Sequence, residues 1–542
     1  MNRETESHFS NLPTLNIKRS RFKRPHDHKT TFNAGDLIPI YLDQDILPGD
    51  TVEMKMSQLV RMQTPIFPVM DNAYLDVFFF FVPNRLVWEH WREFWGENTS
   101  GHWEQQTAYQ IPQINPPSGG WTEGTLADYM GLPTKVDIES VSALPFRAYS
   151  LIWNEWFRDE NLKDPCYITM DETTQTGTNS GDYVTNTELG ALPCKIAKFH
   201  DYFTSALLSP QKGPSVNLPL GTSAPIITKT KANSSASLTD WTAIGIEPTF
   251  YAEGNTDKTF WVSDPEDNAM PHVAGTAFSL ETDLSNALGA TINQLRQAFA
   301  VQAFYEAQAR GGSRYIEFLK NIFGVTSPDG RLQRPEYLGG TRFQINMDQV
   351  LQTSSTDATS PQGNVAAFSC TAGTDTMFTH SFVEHGILMG LAAVRTDHTY
   401  QQGIERGWSR KDWTDFYIPQ FANLGEQAIL NKEIYATGTP SDDNAAFGYQ
   451  ESWADYRYKP NRVSGEMRSN ATGTLDAWHY ADDYSQLPTL SSGWIDEVST
   501  NVDRTISVLA ANANQFFGDF YFDAVYVRPM PVYSIPSMLN HF

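Results

Sequence analysis

Residues Asp71 to Trp88 read DNAYLDVFFFFVPNRLVW, with four consecutive phenylalanines, Phe78 to Phe81, set between Val77 and Val82. No other stretch limits the fold as much. A strand with one face in water alternates polar and apolar residues, whereas an unbroken β-prone run needs cover on both faces. The run is well short of the about 20 apolar residues that cross a bilayer, and Pro83-Asn84 ends it. It predicts a strand buried on both faces, and with it a second layer, as in a sandwich or a closed barrel.

The other strand signals fall in two distant groups. Phe32 to Met56 reads as short extended pieces punctuated by Pro39 and Pro48-Gly49, with Val52, Met54 and Met56 alternating with polar residues. Strands return from Val365 to Arg395, including the apolar run Ile387 to Val394, then at Trp413 to Phe416, Tyr417 to Leu424 and finally Phe516 to Val527. In that last segment Phe520, Phe522, Ala524 and Tyr526 alternate with Tyr521, Asp523, Val525 and Val527.

Between the groups, Tyr149, Ile152, Trp153, Trp156 and Phe157 predict a helix over Pro145 to Asp159. Leu284, Leu288, Ile292, Leu295 and Phe299 mark one face of a second helix. Gly311-Gly312 breaks it, and a third helix follows from Tyr315 to Phe323. These apolar stripes are expected to be core. Residues 221–280 are rich in Thr, Ser, Ala, Gly and Asp and hold no lasting period, so they predict a surface insertion of short β pieces.

Pairing between such distant segments fits a jelly-roll or a related Greek-key barrel. Roughly eight strands of about 5–6 residues suffice for one barrel, so most of the chain is loop grown from it. The expected fold class is mainly β: a single antiparallel jelly-roll with long loop insertions and a few helices. The expected parts are a basic N-terminal arm over 1–30, the first part of the barrel over 31–220, the insertion over 221–280, and helices, remaining strands and an extended tail over 281–542.

The chain is acidic, with net charge −24, yet only 19% of its residues are charged and 13% are aromatic. Protein–protein interfaces share that depletion of Lys, Glu and Asp and that enrichment in aromatics, so assembly is favoured. Binding of nucleic acid over the whole surface is not. The charge is uneven, however. Lys18, Arg19, Arg21, Lys23, Arg24 and Lys29 stand against Asp27 alone within residues 17–29, which leaves −29 on the rest. A basic arm on an acidic body is the pattern of a polyanion-binding tail. Phe22 among the bases is a candidate to stack on an unpaired base. The competing reading is a solvated tail that binds nothing.

No catalytic constellation emerges. Phosphate-binding glycine loops, HExxH and a G-x-S-x-G elbow are missing from the sequence. Cys166, Cys194 and Cys370 form no CxxC, which argues against a zinc site or a disulfide framework and for a reducing compartment. His380 and His385, with Glu384, lack a third ligand and read as structural, and His26-x-His28 as titratable charge. Asp442-Asp443 and Asp482-Asp483 lie in polar stretches and are expected to be solvated. No signal peptide or membrane span is expected. The expected catalytic, metal and cofactor sites are therefore none.

Specificity enters at YFTSALLSPQKGPSVNLPLG, residues 202–221. This stretch resembles a hallmark of the major capsid proteins of gokushovirus-type microviruses, small bacteriophages with circular single-stranded DNA. FNAGDLIPIYLDQDILPGDT, DVFFFFVPNRLVW, INQLRQAFAVQAFYEAQARGGSRYIEFLKNIFGVTSPDGRLQRPEYLGG and the ending RPMPVYSIPSMLNHF also resemble that family, in the family's order. The resemblance implies an eight-stranded jelly-roll, sixty copies of which build a T=1 icosahedral capsid around packaged single-stranded DNA. It implies an insertion at 221–280 that projects at the threefold axes and meets a host cell-surface receptor. It also implies a small basic DNA-associated virion protein and a minor capsid or pilot protein as partners, a place in the virion after assembly in the bacterial cytoplasm, and no enzymatic activity. The DNA-binding candidates are then Lys18, Arg19, Arg21, Lys23, Arg24 and Lys29, facing inward. The alternatives are a carbohydrate-binding or carbohydrate-active jelly-roll, suggested by the aromatics, and a small β-rich nucleic-acid-binding module.

Overall fold

The computed structural model describes residues 18–99, 101, 108–179, 181–216, 226–229, 249–252, 260–263, 279–282, 291–354, 356 and 361–533, the four short segments between 226 and 282 by backbone alone. The chain divides into two compact units, one of residues 1–210 with 306–542 and one of Gln211–Tyr305.

Two large antiparallel sheets make the first unit's frame. The strands are β1 (Ser20–Lys23), β2 (His26–Phe32), β3 (Ile38–Ile46), β4 (Thr51–Met62), β5 (Ala73–Pro83), β6 (Glu336–Gln344), β7 (Thr371–Ser381), β8 (Gly386–Thr396) and β9 (Phe516–Arg528). One sheet has the order β1/β2–β9–β4–β7, in which β1 and β2 lie one after the other along β9; the other has the order β6–β5–β8–β3. The mainly-β, antiparallel fold is as expected, with nine strands in the two sheets, two of them from the basic segment. That segment departs from the expected unpacked arm: Ser20–Lys23 and His26–Phe32 are ladder-paired, and residues 1–17 lie outside the described ones. Its alternation of side chains around Phe22 and Phe32 lets it serve as an edge strand, a role that its charge obscures.

The phenylalanine strand β5 is central and buried on both faces. Phe79 and Phe81 point into the core between the sheets, with Phe32, Met54, Phe520, Phe522 and Tyr526. Phe80 and Val82 point the other way, into a second core with Trp88, Trp121, Phe146 and Trp153. The ring of Phe79 lies 5.5 Å from that of Phe378, and Phe80 5.5 Å from Trp156. The neighbouring β8 divides likewise: Leu388 and Ala392 face the first core, and Met389, Leu391 and Ala393 the second. Two glycines permit this density. A Cβ on Gly390 would meet the Phe79 ring at 2.8 Å and Tyr41 Cβ at 2.9 Å, and one on Gly340 would meet the Val77 carbonyl oxygen at 2.2 Å.

Helix α1 (Leu144–Ile152), with Pro145 in its first turn, covers the second face. It is shorter than the periodicity predicts, because Trp153–Phe157 widens into a π-turn. That turn brings Trp156 and Phe157 onto Phe80. Trp413–Asp415 and Pro419–Phe421 are 3-10 turns, not the strands expected there. Helix α2 (Ile292–Gly311) and helix α3 (Tyr315–Phe323) form with the expected break. Their stripes are not core: Ile292, Phe299, Tyr315 and Phe323 are exposed, and Leu284 and Leu288 lie outside the described residues. Periodicity shows a face that needs cover, not that the same chain supplies it.

In the second unit, Ile226–Lys229 pairs antiparallel with Ser279–Thr282, and Thr249–Ala252 with Phe260–Ser263. Among the described residues no helix is long and apolar enough to cross a membrane.

Candidate nucleic-acid contact face

The ladder between β9 and its neighbours sorts the basic residues by face. Arg21 pairs with Val527, Lys23 with Val525 and Lys29 with Asp519. Paired residues share a face, so all three stand on the open side of the five-stranded sheet, opposite the core residues Phe520, Phe522 and Tyr526. Strand β4 adds Lys55 opposite Asp523 and Arg61 opposite Phe517. Phe517 and Tyr521 are exposed on the same side. A concavity of about 570 Å³ opens beside Lys29, Arg61, Phe517 and Asp519.

The six sequence candidates thus separate. Lys18, Arg19, Arg21 and Lys23 make no ion pair among the described residues. Lys29 pairs with Asp27, and with Asp519 at 3.5 Å. Arg24 is occupied in the fold: its guanidinium lies 2.5 Å from the buried Asp43, which also accepts from the Tyr526 hydroxyl at 2.6 Å. Phe22 packs against the inter-sheet core, which removes it as a stacking ring. Tyr521 and Phe517 are the exposed rings on the side that carries the bases. The alternation read in Phe516 to Val527 already put them opposite the core, but without the pairing register nothing tied them to the bases. Acids temper the face: Asp27, Glu53, Asp519 and Asp523 share it.

Elsewhere the candidates resolve as structure. Among the described residues no group of His, Cys, Asp and Glu is arranged to hold a metal ion. Glu384 receives Arg85 Nε at 2.6 Å, and His385 stacks on Trp95 at 4.8 Å, its pKa lowered by burial. His28 Nδ1 lies 2.9 Å from the Ile40 carbonyl, and His26 lies 5.3 Å from the Phe522 ring. Cys166 and Cys194, though distant in sequence, bring their sulfurs to 3.8 Å as free thiols.

One expectation is overturned outright. Asp482 is not solvated but buried, and it faces His398 Nδ1 at 3.1 Å while Glu497 faces Nε2 at 2.9 Å. Lys198 Nζ is 3.8 Å from Asp482, and Asn501 donates to it at 2.5 Å. Burial alone would lower the His398 pKa, but the charges of Asp482 and Glu497 overcome it and push it up to about 10. Asp482, against the effect of its own burial, is held well below the usual carboxylate range by His398 and Lys198. With the His398 side chain 1% exposed, this is a buried lock between segments and offers no access to a substrate.

Comparison with known proteins gives one consistent answer. Residues 10–538 match the family model described as capsid protein (F protein). The chain is 43% identical to the capsid protein VP1 of Spiroplasma virus 4, over 98% of this chain and 97% of that protein. It is 42% identical to the capsid protein VP1 of Bdellovibrio phage phiMH2K, over 100% and 99%. With the capsid protein VP1 of Chlamydia phage 1 it shares 39% identity, over 98% of each.

Proposed function

The chain belongs to the phage capsid protein (F protein) family, and from that premise we propose how it builds and fills its shell. It is a structural major capsid protein of a virion and not an enzyme. Sixty copies close into a T=1 icosahedral shell around a circular single-stranded DNA genome, assembled in the bacterial cytoplasm. The observation that carries this is the match to capsid proteins from residue 10 to residue 538. Electron microscopy of the purified protein tests it. Closed spherical particles are expected; a stable monomer that turns over glycans would instead favour the carbohydrate-active reading.

The open face of the five-stranded sheet meets the packaged DNA. Lys18, Arg19, Arg21, Lys23 and Lys29, with Lys55 and Arg61, neutralise phosphates, and Tyr521 and Phe517 stack on unpaired bases. Arg24 holds the fold together and leaves the set. What supports this reading is the shared face of bases and exposed rings. Each copy contributes few contacts, and repetition over the shell supplies the affinity. A small basic virion protein packs with the genome, which reconciles DNA with an acidic body, and a minor capsid or pilot protein completes the particle. Substituting Gln at Lys18, Arg19, Arg21 and Lys23 is expected to lower the DNA content of particles; unchanged content would refute the contact. Residues 221–280 project at the threefold axes and contact the host receptor. Exchanging them between relatives is expected to change host range.

A further inference from the structure

A second surface of the first unit has no part in the contact just described. The segment 404–424 has little regular structure beyond 3-10 turns, yet it displays the most exposed tryptophans among the described residues: Trp408 is 83% exposed and Trp413 68%. Phe416, Leu424 and Tyr456 are also exposed. The rings are linked: Trp413 stacks on Phe421 at 6.2 Å, the Phe421 carbonyl accepts from Trp453 Nε1 at 2.8 Å, and Trp453 meets Tyr417 and Tyr456. Arg410 lies over the rings of Phe416 and Tyr456 at 5.5 Å and 4.4 Å, and Trp408 lines the same cavity as Arg410 and Tyr456. Contiguous exposed apolar surface on a folded chain marks an interaction site. Exposed Trp and Tyr flanked by Arg are the residue types that dominate binding energy where proteins meet.

Beside the patch lies a cavity of about 410 Å³ with an unbalanced rim. Three of its cations are Arg406, Arg410 and Lys459; the other two are Arg462 and Arg468. Against these five stand Glu405, Glu433 and Asp455, a surplus of two positive charges. Arg406 is paired with Glu433 at 3.2 Å and Arg410 with Asp455, while Glu405 alone serves both Lys459 and Arg462. Among the described residues the Arg468 side chain donates only to the Gln401 carbonyl, at 2.8 Å. A positive rim on a chain of net charge −24 complements the surface of another copy of the same chain.

We propose that this aromatic patch, with the cation-rimmed cavity beside it, is a contact surface for a second copy of the chain in the shell. The inference rests on the shell reading above and adds where one contact falls. Single-stranded DNA is the less suited occupant. The innermost cations are already neutralised by carboxylates, the surplus is small, and Ile404 adds to the lining an exposed aliphatic group that stacks on no base. A carboxylate of the neighbouring copy would complete the partners of Arg468 and relieve the shared Glu405.

Two variants test the contact. Trp408→Lys combined with Leu424→Lys alters side chains that stand mostly in water, so the dissociated subunit is expected to keep the wild-type melting transition while losing particle formation. Trp408→Cys serves as a footprint whatever the fate of the first variant. A maleimide is expected to label position 408 in dissociated subunits and to lose that labelling in DNA-free shells. Equal labelling in subunits and empty shells would overturn the contact, with the shell reading intact. Protection that appears only in DNA-filled particles would also overturn it, in favour of nucleic acid. Wild-type protein that forms no particles would remove the shell reading itself and the contact with it.

Discussion

The two sheets of the barrel are built from similar strands but solve burial differently. Over Val77–Val82 of β5 and Ile387–Val394 of β8 successive residues enter different cores, so the sequence there runs apolar apart from Gly390, and both faces are packed. In β4 and β9 only alternate residues are buried; Lys55, Arg61, Phe517 and Tyr521 stand outside. These central strands of the first sheet leave no surface for function. The second keeps one face free, and that face carries the bases and rings assigned to DNA. Coverage, not strand chemistry, decides which sheet can acquire a role.

The sharpest way to break this comparison is to truncate adjacent residues. Phe79→Ala and Phe80→Ala are each expected to cost about 3–5 kcal/mol in the dissociated subunit, since both faces of β5 are packed. In β9, Phe520→Ala is expected to cost similarly, but Tyr521→Ala to stay within about 0.5 kcal/mol. Denaturant unfolding of the four variants decides; a mild effect at Phe80 would mean that the helical side is not a true core.

Ion pairs extend the contrast. His398→Ala, just past the end of β8, leaves Asp482 and Glu497 buried without their cation and is expected to cost about 3–5 kcal/mol. The stabilisation also has a pH signature. The folded pKa of His398 is raised to about 10, so its contribution is complete below the ordinary imidazole range and fades as pH rises through about 10. Asp482 is depressed, so its share is lost only as pH falls below the usual carboxylate range. The gap in melting temperature between wild type and His398→Ala is therefore expected to narrow from neutral to alkaline pH; a constant gap would mean that His398 is uncharged. Overpacking comes next: Gly390→Ala forces a methyl against Phe79 and Tyr41 and is expected to cost about 1–3 kcal/mol. Smallest is Lys29→Ala on the open sheet, whose ion pairs lie in water. It is expected to change stability by less than about 1 kcal/mol while lowering DNA content.

Much of the frame was legible because burial writes itself into sequence. The phenylalanine run gave β5, alternation gave β4 and β9, and the Gly311-Gly312 break separated α2 from α3. Strand β6 was not legible, because Gly339-Gly340 interrupts any apolar period; in the fold the Val77 carbonyl leaves no room for a side chain at Gly340. The basic strands hid behind their charge. The exposed stripes of α2 and α3 were misread because periodicity cannot say which molecule covers a face. Of the contact face, the bases were visible, but their company was not. Tyr521 and Arg61 join them only through the register of β9, a pairing across hundreds of residues that no local pattern encodes. Asp482 likewise looked like a loop acid until His398 was brought to it.

The account rests on the claim that this chain is a shell subunit, and the mass of its assembled form tests that most directly. Charge-detection mass spectrometry of DNA-free particles is expected to find one closed species of about 3.7 MDa, sixty times 61.0 kDa. A protein that stays at the mass of one or a few chains under all assembly conditions would contradict it.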